Sequence, residues 1–541
     1  DHRDLHSFPT RRSSDLVQQT TDNDTPYTRG EDSGQNQWTW QHYNATVGYD
    51  GTFGRHVVSA SAGILYNIYK TDFSQNGAAG KMVEYRHMTV NGAVNYAYDD
   101  RYVATFSFAA DGSDNYRPGN RWGFYPSLGL GWIVSRERFL RDSRMVDLLK
   151  LRASVGKNGW DPMGEMRYLW EGYYTGRGGL NTGNSEHTWH GGTALSYLPN
   201  PDVFAEKSLK YDAGIDLRLW NRLSLNVDLF LEKRSGIVTQ DWMIPGASGV
   251  DNPPYRNIGR MTNKGFEVQL SWADRIGDFN YALTGMASYN SNKVDYMAEV
   301  VTVPTAARTG RRLDALFGYV ADGFYDWDDF DVGGELREGL PKPTFGAVQP
   351  GDIKYKNLNG DTVIDENDQT AIGDSYLPKL QYSFSLAASY KGFDLFALFQ
   401  GAAGRDVNLL DAPLQNIAFR DNGNVYGIAE GRWAYYPEQG IDTRATAIYP
   451  RLSLQDNSNN YRNSTLWKRS GDFLKLRNVE LGYTFAQPSL SKAGISKIRI
   501  YLSGVNLLTV SRLMRDYDID PEILSGHPAL KSYNLGLTVT F

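Results

Sequence analysis

Cysteine is missing from all 541 residues. The chain can form no disulfide, and the absence suits passage through an oxidising compartment where stray thiols mispair. Long apolar runs are missing as well. No stretch approaches the roughly 18 consecutive apolar residues of a membrane helix, which excludes a helical membrane protein. Positive charge is not in excess: 56 Lys and Arg stand against 62 Asp and Glu, a formal net charge of -6. That balance argues against nucleic-acid binding. An initiator Met and the apolar core of a signal peptide are also missing from the start.

The first sixteen residues, DHRDLHSFPTRRSSDL, back-translate to a string similar to a widely used sequencing-library adapter. We read residues 1–16 as assembly contamination, with the gene entering mid-frame near Val17. The missing signal peptide then carries no information about compartment. Residues 17–37 read as the remnant of an extracellular loop, and 38–541 as one β domain.

Aromatic residues and glycine are abundant. There are 35 Tyr, 13 Trp and 55 Gly, while hydrophobic residues make up only 41%. Many aromatics without long apolar runs fit interfacial girdles and closely paired strands. The dominant pattern is period-two alternation, which marks strands with two different faces. Leu223, Leu225, Val227, Leu229 and Leu231 share one face, and Ser224, Asn226, Asp228 and Glu232 the other. Before them, Tyr211, Ala213, Ile215, Leu217 and Leu219 alternate with Asp212, Gly214, Asp216 and Arg218. Three residues separate the two runs, so they read as a hairpin. Further hairpins are predicted over 266–290 and 381–400. The run 393–400 alternates poorly, which predicts that its inner face meets packed material.

Runs of about 10 residues match tilted membrane strands. Short turns follow the runs ending near Tyr49, Tyr98, Leu219, Trp272 and Tyr390. Long polar loops follow those ending near Ile68, Asp111, Ile237, Asn290 and Gln400. Short connections at one end and long ones at the other are the signature of an outer-membrane barrel. Segment 137–149 reads as helical, and the turn between Phe485 and Lys497 as partly so. The run 316–325 breaks the parity, and we place it in a large extracellular excursion paired with 352–356. The count is about 15 strands, an odd number where single-chain bacterial barrels are even. The fold class is therefore all-β, a transmembrane antiparallel barrel truncated at its N-terminus, whose first strand does not pair with its last. The leucine-rich face of 223–231 is expected to meet lipid.

The chain ends on Tyr533, Leu535, Leu537, Val539 and Phe541, alternating with polar or small residues. This last strand is similar to the assembly signal of outer-membrane barrels, the alternative being a soluble edge strand prone to aggregation.

Several stretches resemble SusC/RagA-type transporters. They are DGSDNYRPGNRWGFYPSLGLGW (111–132), LLKLRASVGKNG (148–159), NIGRMTNKGFEVQLSW (257–272) and GRRLDALFGYVADGFY (310–325). PGDIKYKNLNGDTVIDENDQTAIGD (350–374), YKGFDLFALFQG (390–401) and the C-terminal 471–541 complete the order. The resemblance covers nearly all of 38–541. It implies a barrel of about 22 strands closed by an N-terminal plug that is missing here, with energy arriving through TonB–ExbB–ExbD. It also implies a SusD-like surface lipoprotein as partner, outer-membrane lipid around the wall, and oligosaccharide or peptide as cargo.

Two sets of side chains are candidate sites. Asn357, Asn359, Asp361, Asp365 and Asp368, with the Val363 carbonyl, have the spacing of a twelve-residue calcium loop. Asn357 stands where Asp is usual and Thr362 where a sharp turn prefers Gly, so the alternative is a polar turn in a solvated loop. Trp160, Trp170, Tyr173, Tyr174, Trp189, Trp242 and Trp327 lie outside clear strands and offer faces on which sugar rings can stack. The alternative is girdle or loop packing. His187 and His190 lack further ligands for a metal. No catalytic set emerges. Gly246-Ala247-Ser248-Gly249 lacks nucleophile-elbow spacing, and Gly129-Leu130-Gly131 sits in a strand rather than before a helix. The expectation is a non-enzyme, a TonB-energised importer favouring glycans over peptides. A passive porin or an outer-membrane hydrolase are the alternatives.

Overall fold

The structure, a computed structural model, describes residues 38–71, 83–161, 167–172, 174–182, 188–250, 252–301, 303–410, 425–454, 457–485, 494–524 and 527–541. The readings of 1–16, 17–37, Tyr173, His187 and the turn before Lys497 lie outside them in whole or large part.

Fifteen strands form one sheet, ordered along the chain. They are Trp38–Phe53, His56–Thr71, Val83–Tyr98, Tyr102–Ser113, Trp122–Ile133, Val146–Trp160, Glu206–Leu219 and Leu223–Gln240. Tyr255–Ile276, Phe279–Tyr296, Leu380–Tyr390, Phe393–Ala403, Phe473–Phe485, Lys497–Ser511 and Ser532–Thr540 follow. In this order the first and last strands each have one neighbour, as the odd count implied. Several strands exceed the expected length: Tyr255–Ile276 runs for 22 residues. About 9–11 tilted residues cross a hydrocarbon layer, so the excess carries the polar ends of the strands beyond it.

Short turns close where the pattern placed them. Lys391 and Gly392 both take positive φ (45° and 90°), the mirror-image turn whose twist suits a two-residue hairpin. Trp220 and Asn221 also lie at positive φ. The helical reading of 137–149 needs correction. One short 3-10 turn, Val134–Arg136, is followed by a single α-like turn from Arg141 N to Glu137 O, and a strand begins at Val146. A helix that short needs a buried apolar face, and Phe139 is exposed.

The chain divides into two compact units. The first comprises residues up to 132, 152–211 and 232–260, and its core gathers Tyr116, Leu169, Val203 and Val238. The second holds 133–151, 212–231 and 261–541. Within it the long loops fold on a core of their own around Tyr319, Ile353, Tyr355, Ile364, Leu409 and Trp467. There Ala321–Phe324 pairs antiparallel with Ile353–Tyr355, as the excursion reading anticipated. Leu316–Gly318 pairs instead with Thr370–Gly373. No described helix is long and apolar enough to cross a membrane.

Candidate functional site: the polar face and its loops

Register turns the alternation into two surfaces. In the first unit Tyr49, Ala60, Val94, Phe106 and Leu128 form one row across five strands, and Gly48, Ser61, Ala93, Ser107 and Ser127 the next row behind it. In the second unit Leu283, Leu386, Ala397, Val479, Gly504 and Tyr533 make an apolar row. The apolar side is open: Leu229 is 56% exposed and Leu535 78%. Moving one such side chain from water into hydrocarbon is worth about 1.5–3 kcal/mol, so a face of this length has a strong preference for lipid.

The other side carries a cleft of about 320 Å³. Asn226, Asp228, Glu267, Gln269, Gln381 and Gln400 line it, the polar members of successive strands. We therefore expect cysteine at Val227 to react with a lipid-phase reagent several-fold more than cysteine at Asn226. Stronger labelling at Asn226 would reverse the two faces.

Farther along the same face Arg499 donates to Glu480 at 2.6 Å and, through Nε, to Asp394 at 3.1 Å, tying three strands. Gly482 makes room for this cluster, since a Cβ there would stand 2.5 Å from the Arg499 guanidinium. Phe396 and Leu398 lie on this polar side too, opposite Glu480 and Asn478. They explain the poor alternation of the run.

The loops are fixed by buried polar networks. Asp352, fully buried, accepts from Arg451 Nε at 2.7 Å, Asn460 Nδ2 at 2.9 Å and Asn457 Nδ2 at 3.0 Å. Trp467 Nε1 donates to the Asn460 carbonyl at 2.7 Å. Tyr325 packs with Phe330, Leu336 and Val348, and burial pushes its phenol up to about 12. Lys475, only 1% exposed, donates to Asp520 at 2.7 Å and to Glu522 at 2.7 Å. In the first unit Asp161 accepts from Tyr85 (2.5 Å), Tyr116 (2.8 Å) and Asn115 (2.9 Å). The DGSDNY stretch thus acts as a loop anchor.

The calcium-type loop closes on itself. Asn357 Oδ1 accepts from Gly360 N, Asn359 Oδ1 from Asp361 N and Asp361 Oδ1 from Val363 N. Asp365 caps the 3-10 turn Glu366–Asp368. Buried Asp368 accepts from the Leu358 amide through one oxygen and the Asp365 amide through the other. Among the described residues no three His, Cys, Asp or Glu side chains are grouped to hold a metal ion. As placed, the loop's side-chain oxygens accept from the backbone amides of their own turn.

Of the loop aromatics, Trp160, Tyr174, Trp189 and Trp242 are exposed in the first unit and Trp327 in the second. Trp170 is half-buried. Trp189 crosses its hairpin to lie over Gly179, where a Cβ would stand 2.5 Å from the indole. His190 donates to or accepts from Thr182 Oγ1 at 2.8 Å. The buried networks around Asp352 and Lys475 escaped the sequence reading. The only trace of the first is the asparagine run 457–460.

Residues 2–507 match the family described as TonB dependent receptor-like, beta-barrel. The chain belongs to that family. It is 26% identical to TonB-dependent receptor P3 of Formosa agariphila, over 91% of this chain and 51% of the relative. With TonB-dependent receptor SusC of Bacteroides thetaiotaomicron the identity is 26%, over 83% of this chain and 43% of the relative. The chain thus spans about half the length of the curated relatives it matches. Among solved structures it is similar to the RagAB peptide transporter, with a TM-score of 0.68 at 22% identity, covering 94% of this chain and 56% of that one. The SusC/RagA-type resemblance and the barrel fold class therefore stand.

Proposed function

We propose that the complete protein imports an oligomeric nutrient across a Gram-negative outer membrane, energised through TonB–ExbB–ExbD and working with a SusD-like surface lipoprotein. The observation that carries this reading is the two-faced sheet: in each unit rows of apolar side chains suited to lipid, and in the second unit an opposite face of carboxylates, amides and hydroxyls suited to a wet path. Cargo passes along the polar face without bond cleavage. Exposed Trp160, Tyr174, Trp189, Trp242 and Trp327, with Tyr173, offer the first contacts; their flat faces suit sugar rings and peptide side chains alike, and the preference for glycans follows from the SusC-type resemblance. Trp170 is placed too deep to lead. Phe396 and Leu398 are the apolar patch on which packed material of the complete protein would rest. Tyr533, Leu535, Leu537, Val539 and Phe541 serve the assembly of the last strand.

The test uses the complete gene in a deletion strain, with its SusD-like partner and with or without TonB. Growth on a glycan panel is expected to depend on the gene and to fall at least tenfold without TonB. Uptake unchanged without TonB would make the protein a passive porin. Growth restored only on peptides would reverse the cargo preference.

A further inference from the structure

We infer that a basic cleft among the loops of the second unit binds an anionic group carried on a saccharide: a carboxylate, sulfate or phosphate. As cargo recognition the inference rests on the import reading above; as binding it stands alone.

The cleft is about 570 Å³, far larger than a bare inorganic anion and within the range of a small-ligand site. Four segments remote in sequence bring cations to it. Lys293 projects from the end of Phe279–Tyr296. Arg311 and Arg312 follow the backbone bonds that hold Gly310 and Arg311 to Val294, at 2.7 and 2.8 Å. Lys379 precedes Leu380–Tyr390, and Lys468 opens the short strand Lys468–Ser470. Among the described residues two carboxylates line the same space, Asp374 and Asp406. They are engaged with Lys379 at 2.7 Å and Lys468 at 3.8 Å.

Two cations, Lys293 and Arg311, are left over, and Arg312 is only loosely matched. Arg312 is the most telling, because its side chain is 10% exposed. Its Nη2 donates to the Leu377 carbonyl at 3.2 Å. Its Nε and Nη1 have no hydrogen-bond partner among the described residues, and Asp374 stands off Nη1 at 3.9 Å. Buried guanidinium N–H groups call for acceptors, and the planar fork suits carboxylate, sulfate or phosphate oxygens. Lys293 and Arg311 are exposed and meet no acidic partner among the described residues. An anion seated between these three would satisfy the fork and the charge together.

The rest of the lining points to a saccharide. Ser291 offers a hydroxyl and Asn292 an amide whose Oδ1 already accepts from Leu313 N, leaving its NH₂ to donate. Backbone forms the wall at Gly310 and Gly373, where a Cβ at Gly373 would stand 2.7 Å from Asp406 and Lys468. Ile372 is the one large apolar side chain in the lining. Hydroxyl-rich rings pair with such groups, whereas an acidic peptide would bring neighbours in need of apolar walls.

The experiment is calorimetry on the complete receptor in nanodiscs, titrated with tetragalacturonate, its carboxyl-reduced counterpart, and tetraglutamate. The double variant Lys293→Gln/Arg311→Gln removes two exposed, unpaired charges and leaves the fold's own contacts in place. The acidic sugar is expected to bind at least tenfold tighter than the reduced one, to weaken with salt, and to lose about tenfold in the double variant. In a second arm the nanodiscs contain diphosphoryl lipid A. If that lipid competes with tetragalacturonate, and the double variant abolishes the competition, the anion comes from an outer-leaflet headgroup; no competition assigns it to soluble cargo. Equal binding of acidic and reduced sugars, or no effect of the double variant in either arm, overturns the site. Tetraglutamate binding as tightly as tetragalacturonate overturns the saccharide assignment. Loss of TonB-dependent growth on neutral glycans would strike the import reading alone, because it leaves these affinities unchanged.

Discussion

Asp352→Ala is expected to open the folded loops to protease while the sheet stays assembled. Asp352 is fully buried, and its oxygens gather Arg451, Asn457, Asn460 and the Gln349 amide, the last at 2.8 Å. Alanine would leave the Arg451 charge without its buried partner and orphan the donors of both asparagines. Breaking a buried pair by removing one partner costs about 3–5 kcal/mol. Each 1.4 kcal/mol is a factor of ten, so the open population of this loop core should rise by roughly 100-fold or more. Trypsin cleavage at Lys354, Lys356 or Arg451 reads that population directly. The strands paired in the sheet share none of these contacts, so heat-resistant migration of the folded barrel should persist. Cleavage at the wild-type rate would show that the network is not what closes the loops.

Lys475→Met should release the segment that follows Lys497–Ser511 and reverse its response to acid. After that strand a six-residue helix, Arg512–Tyr517, starts on a Ser511 cap and ends at Asp518 with φ at 56°. The chain then turns back so that Asp520 and Glu522 reach Lys475 on the polar side of Phe473–Phe485. Arg477 also binds Glu522. Burial acts to raise both carboxyls. The hydrogen bonds from Lys475, with Arg477 for Glu522 and a backbone amide for Asp520, outweigh it and leave both below their ordinary values. A depressed folded-state pKa means stabilisation that is fully present above the unfolded carboxylate range and is lost as pH falls through the folded values. Wild-type protein should therefore hold this segment at neutral pH and free it in acid. Methionine leaves Asp520 without its cation and Glu522 with Arg477 alone, a loss again of about 3–5 kcal/mol where the group is buried. Protonation then relieves the repulsion, so the variant should tighten as pH falls. Hydrogen exchange over 512–524 at neutral and acidic pH distinguishes the two slopes, and equal slopes would refute the role given to Lys475.

The candidate path was partly legible from residue order. The polar cleft drew on Asn226, Asp228, Gln381 and Ser383, all set on the polar side by alternation before any pairing was known. The loop aromatics were read as lying outside strands; most are exposed, but Trp160 ends the strand Val146–Trp160, and Tyr174 and Trp189 sit in the hairpin strands Tyr174–Thr182 and Thr188–Leu195. The calcium spacing was readable too, and in the structure its side chains bind their own backbone. Asx side chains two residues apart bind their own backbone as readily as an ion, and spacing alone does not separate the two uses. The helical reading of 137–149 failed because a helix that short needs a surface on which to bury apolar residues, and Phe139 is exposed.

What residue order determined by itself is the wall. Alternation is a local property, because successive side chains of a strand point to opposite faces whatever the strand pairs with. Fifteen strands, their two surfaces and the alternating lengths of their connections follow from it. Only tertiary structure decided the loops and the sites within them. Asp352 meets Asn457 and Asn460 across 105 and 108 positions, and the cations of the basic cleft come from segments as far apart as 293 and 468. No period links such positions. They meet because a closed loop core must satisfy every polar group it takes from water, and that constraint acts on whatever side chains the folded chain brings together.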